Sequence, residues 1–176
     1  MYFKAIRYFA YFLEITVFYV IEQTPNLIPN INGIKPTLLI PILFMIALFE
    51  GEKIGLIFGL FIGILLDIST SWSIGFFAIM ISVCGYIIGL ISRRVVKSNL
   101  STAMIISAIF IFFIYSFHFL FCYLINGCGD NLYTFTFHYV PRMVYTLLIS
   151  LLMYFFNRTL ALNIRKEKEK EKKTKQ

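Results

Sequence analysis

In a chain of 176 residues, 59% are apolar or aromatic and only 14% are charged, against about 25% charged in soluble proteins. A soluble fold cannot hide that much apolar surface, and the 20 Phe and 11 Tyr run through every apolar block instead of gathering in one core, as expected where the solvent is hydrocarbon. The net charge of +7 comes from short connections and from the tail, Arg165 to Lys175, so it reads as an orientation signal and not as a nucleic-acid surface.

Apolar blocks run approximately over 4–21, 36–49, 53–67, 75–92, 100–125 and 141–160. At roughly 20 residues per crossing they predict an all-α integral membrane protein, a bundle of about six transmembrane helices. Residues 1–162 form a single transmembrane domain, and 163–176 form a basic cytoplasmic tail, either disordered or a frayed helical extension.

The first block follows Lys4 and Arg7 as a signal peptide would, but Ile21-Glu22-Gln23-Thr24-Pro25 offers no cleavage site of small residues, so a retained helix is expected. Glu14 falls near its centre, at a cost of about 3 kcal/mol, and should face protein as an interhelical hydrogen-bond partner, with a proton relay or substrate ligand as the second reading. Pro25, Pro29 and Asn32-Gly33 mark an irregular loop. Pro36 suits the first turn of helix two, and Pro41 is expected to kink that helix or cost it one backbone bond. Blocks two and three are short for full crossings and fit a pair of short helices, a tight hairpin, or spans completed by flanking residues.

The strongest pattern is Gly51, Gly55, Gly59, Gly63 and Asp67, each four residues from the next and therefore on one helical ridge. Absent side chains let a second backbone approach, and in lipid such contact replaces the hydrophobic force available in water. Packing within the bundle is the first reading, with helix four (Gly75, Ser82, Gly85, Gly89) as the partner; a docking groove for another protein's helix is the second. Asp67, unfavourable at a helix C-terminus, is expected to cap helix four or pair with Arg142, ahead of receiving a partner. Trp72 fits an interfacial belt. Cys84, Cys122 and Cys128 show no disulfide or metal spacing, and His118 reads as a packed, hydrogen-bonded histidine. Pro141 suits the first turn of helix six.

Placing both termini in the cytoplasm puts Arg93, Arg94, Lys97 and every other Lys and Arg except Lys35 and Arg142 on that side, as the positive-inside rule asks. There is no Gly-x-Ser-x-Gly, no His-Glu-x-x-His and no phosphate-binding loop, so neither catalysis nor a cofactor or metal is expected.

The retained first helix, the Pro-rich loop, Pro36-Thr-Leu-Leu-Ile-Pro41, Glu50-Gly51, the ridge from Gly55 to Asp67, Gly75 and the basic end together resemble the bacterial rod shape-determining family MreD. That resemblance implies a non-enzymatic scaffold of the cell-elongation machinery in the bacterial plasma membrane. It implies regulation of rod shape and lateral peptidoglycan synthesis through the MreC membrane protein, and through it contact with MreB filaments and wall synthases. Substitution of Gly59 by Leu is then expected to weaken association with MreC and to round the cells. MreD-like chains also resemble the six-helix substrate-binding subunits of energy-coupling-factor vitamin transporters, which gives the alternative function. Such subunits usually carry Ala-x-x-x-Ala on helix one, and Ala5 and Ala10 do not supply it.

Overall fold

The computed structural model describes residues 2–25, 27, 34–70, 75–95, 100–126 and 135–174. Trp72, Lys97, Cys128 and the Pro29 to Gly33 stretch lie outside the described residues, as do the side chains of Arg93, Arg94 and Cys122. Among the described residues, six α-helices follow one another: α1 (Tyr2–Gln23), α2 (Leu39–Glu50), α3 (Glu52–Thr70), α4 (Phe76–Val95), α5 (Leu100–Asn126) and α6 (Val140–Thr174), the last entered through a π-helical turn at Phe135–Tyr139. The backbone of the basic tail is helical to Thr174.

Among the described residues, three segments are long and apolar enough to cross a membrane: Glu52–Thr70, Leu100–Phe121 and Phe135–Thr159. The apolar helices Leu39–Glu50 and Phe76–Ser92 are shorter, and α1 is interrupted by Arg7, Glu14 and Glu22. Large apolar side chains stand exposed around the bundle, including Phe9 on α1, Ile57 on α3, Ile79 on α4, Ile109 on α5 and Leu152 on α6. In water such a surface would drive aggregation; in a bilayer it is the solvated face.

The exception is α2, whose residues from Leu39 to Ala47 are all buried and which touches α1, α3, α4, α5 and α6. It has no polar stripe, so no orientation of it favours the outside, and a helix apolar all round belongs in the centre. At 12 residues it is about 18 Å long, well short of a bilayer core. Its neighbours shield it from lipid, and its ends need not reach the two interfaces.

The start of α2 differs from the sequence expectation. Pro36 lies ahead of the helix, and Pro41 is its third residue, where a backbone N–H has no intrahelical acceptor and none is lost. Proline therefore opens α2 instead of kinking it. The helix stops at Gly51, whose φ of 95° is a conformation that side chains resist. Gly51 donates its N–H to Ala47 O at 3.0 Å and accepts from Gly55 N at 3.0 Å. One residue thus ends α2 and starts α3, and blocks two and three become a tight helical hairpin.

Candidate functional site

Among the described residues, polar and small side chains inside the bundle gather in several places, four of which bear on the candidate site. The first is the seam between α3 and α4, which run antiparallel with backbone against backbone. A Cβ built on Gly55 would lie 2.5 Å from Gly85 O, one on Gly59 2.7 Å from Ser82 Cα, and one on Gly63 2.6 Å from Phe77 O. One on Gly89 would lie 2.5 Å from Gly51 C. Every nearest neighbour here is backbone, which cannot move aside as a side-chain tip can. The glycine ridge of α3 is therefore covered by α4 along its length, and no room is left on it for a second helix.

The second place is Asp67, buried at the end of α3. Its Oδ1 accepts from Phe77 N at 2.9 Å, and its Oδ2 accepts from Gly75 N and Ala78 N, both at 3.0 Å. A helix N-terminus leaves N–H groups unpaired and carries partial positive charge, so the carboxylate that is misplaced at the end of α3 is well placed at the start of α4. Arg142 is not its partner: among the described residues Arg142 makes no ion pair.

At the third, Glu14 is buried in α1 and accepts a hydrogen bond from Asn157 Nδ2 of α6 at 2.8 Å. The other oxygens of the pair, Glu14 Oε2 and Asn157 Oδ1, are buried without hydrogen-bond partners among the described residues. Asn157 escapes a reading by motif, but an amide in the run Phe155-Phe156-Asn157 is itself a polar residue inside an apolar segment, and such residues find one another. Substitution of Asn157 by Leu removes Glu14's donor, and thermal unfolding in detergent should show a loss of about 1–3 kcal/mol. The double substitution with Glu14→Leu should recover part of that loss; a double variant as unstable as the sum of the singles would show that the pair is not coupled.

The fourth is the end of the bundle opposite the tail. The residue before α2, Leu38, offers no side-chain cap; Glu22 of α1 supplies one, its Oε2 accepting from Leu38 N at 3.0 Å and Leu39 N at 3.4 Å. Thr37 Oγ1 and Tyr115 OH share a 2.7 Å hydrogen bond, and Thr37 N donates to Thr146 Oγ1 at 3.4 Å. His118 Nδ1 lies 3.1 Å from Tyr139 OH, with its ring stacked on Phe77 at 5.1 Å. The guanidinium of Arg142 lies 5.8 Å from the centre of the Tyr115 ring. At the other end, Arg7 Nη2 pairs with Glu50 Oε2 at 2.6 Å and Tyr11 OH donates to Glu50 Oε1 at 3.1 Å, tying α1 to the end of α2.

Asp67, Glu14 and Arg142 thus belong to three separate places. No group of three or more His, Cys, Asp or Glu suited to a metal occurs among the described residues, and Cys84 is buried as a free thiol.

The family model of the rod shape-determining protein MreD matches residues 4–163. The chain belongs to the MreD family. Its matched region runs from the first turn of α1 through the end of the apolar part of α6, so all four places lie within it and most of the basic tail lies beyond it. Membership carries a role in rod-shape determination, in a family of structural shape-determining proteins. No curated protein and no solved structure matches the chain.

Proposed function

We propose that the chain is a non-enzymatic membrane scaffold of the cell-elongation machinery, crossing the plasma membrane with both termini in the cytoplasm. Its role is to bind MreC and, through it, to influence MreB filaments and wall synthases in lateral peptidoglycan synthesis. The match to the MreD family over residues 4–163 carries this reading. Two features support it. Successive helices alternate in direction: Glu22 at the end of α1 meets the start of α2, Gly51 turns the chain into α3, Gly55 and Gly63 meet Gly85 and Ala78 of α4, Phe76 meets Phe121 of α5, and Met104 and Tyr115 meet Ser150 and Thr146 of α6, so six helices bring the chain back to its starting end. Lys53 and Arg158 then fall at the same end as the tail, in agreement with the positive-inside rule.

Because α4 already covers the glycine ridge, the partner's helix has only side-chain surfaces to meet. Single cysteines at exposed positions such as Ile57, Ile79, Ile109 and Leu152 test this by crosslinking to cysteines in the transmembrane helix of MreC. Crosslinks confined to one face, with rod shape retained, are the expected result. Co-purification without MreC, in cells whose shape does not depend on the chain, would overturn the reading.

A further inference from the structure

The end of the bundle opposite the tail encloses a cavity of about 260 Å³. Glu22, Lys35, Thr37, Tyr115, His118 and Arg142 face it over Ile40, Leu66 and Phe77, with the hydroxyl residues Ser69 and Thr70 of α3 at its side. A more open hollow of about 300 Å³ adjoins it, lined by Ile34, Lys35, His138 and Arg142. Lys35 and Arg142 therefore stand on both.

These two residues are the exceptions in the charge pattern. Every other Lys and Arg falls at the tail end by sequence position, and orientation selects against positive charge at the opposite end. That both exceptions line one cavity requires a reason other than topology. Neither makes an ion pair among the described residues, and Arg142 Nε is buried without a hydrogen-bond partner. The one carboxylate in the lining, Glu22, is already engaged by the N–H groups of Leu38 and Leu39. Glu22 lies within electrostatic reach of Arg142 and offsets one of the two cations, so a net positive charge is left over, with the buried Arg142 Nε unpartnered among the described residues, in a hollow walled by apolar helices.

We infer that this cavity binds an anionic group, a carboxylate or phosphate, held between Lys35 and Arg142. Guanidinium donors suit the paired oxygens of such a group, and the hydrogen-bonded hydroxyls of Thr37 and Tyr115 line the same hollow. The volume is at the small end for ligand sites, which fits a small acid or a lipid headgroup and excludes a large cofactor. Both sources present the same chemistry.

The test uses the full chain, purified and placed in nanodiscs of phosphatidylcholine. Inorganic phosphate, succinate and short-chain phosphatidylglycerol are titrated while the thermal midpoint is followed, and native mass spectrometry reads any retained anion. At least one probe should raise the midpoint, with about tenfold weaker apparent affinity in Arg142→Gln and in Lys35→Gln and no change in Lys53→Gln at the opposite end. Lys35 precedes the first helical residue of α2, so its variant answers the question even if Arg142→Gln unfolds. A response to phosphatidylglycerol alone assigns a lipid headgroup, and a response to phosphate or succinate assigns a solute. No shift with any probe, or an equal shift in all three variants, would overturn the assignment.

Discussion

Leucine in place of Gly63 or Gly59 is expected to prevent α3 and α4 from packing, and with them the fold. The Cβ alone would lie 2.6 Å from Phe77 O at Gly63 and 2.7 Å from Ser82 Cα at Gly59, far inside van der Waals contact. Both neighbours are backbone atoms of a helix, so relief comes only by moving the whole helix. Overpacking by a single methylene costs about 1–3 kcal/mol in a core. Leucine adds three more carbons and separates the seam, at a cost comparable with the total stability of about 5–15 kcal/mol for a typical protein. Alanine at the same positions should give a graded loss, read as a lower thermal midpoint in detergent. Gly75→Ala is the contrast: nothing lies within 4 Å of its Cβ position, but φ is +97°, so only backbone strain of about 1 kcal/mol is expected. If Gly59→Leu were as stable as the unmodified protein, the close approach of the two helices would be wrong. Loss of MreC from a Gly59→Leu variant would consequently report a broken bundle, and it cannot by itself locate the partner's interface.

Asp67 should be the most sensitive polar position. Alanine there leaves the N–H groups of Gly75, Phe77 and Ala78 without the acceptors they now have at 2.9 to 3.0 Å. Caps are worth about 0.5–2 kcal/mol at exposed helix ends. This one is buried and anionic and serves three donors, so a loss of about 3 kcal/mol is expected. Asparagine offers a single acceptor oxygen and directs N–H groups at whichever donors face its nitrogen, which should place Asp67→Asn between alanine and the unmodified protein. Thermal unfolding gives the order, and hydrogen exchange should show lost protection in the first turn of α4. Equal protection in Asp67→Ala would mean that the cap contributes nothing to that turn.

Much of this architecture is local information. Apolar runs and their lengths mark where helices lie, because in lipid each backbone must satisfy its own hydrogen bonds. Glycines four apart mark a ridge without side chains, and Gly85 and Gly89 mark a second one able to meet it. Asp67 at an unfavourable helix end announces that it serves something else. Each of these depends on residues within a few turns of one another, so spacing suffices to read them.

Tertiary structure alone decided the rest. That α2 is the central helix depends on five others surrounding it, and a helix of 12 residues, apolar up to its final Glu50, reads equally as a short crossing. Glu22 caps a helix 16 residues away, and Asn157 finds Glu14 across 143. Lys35 and Arg142 reach one cavity from either side of the bundle's sequence. Helical periodicity tells which residues share a face, but which faces meet is settled by close packing of the whole set, a property no single segment contains.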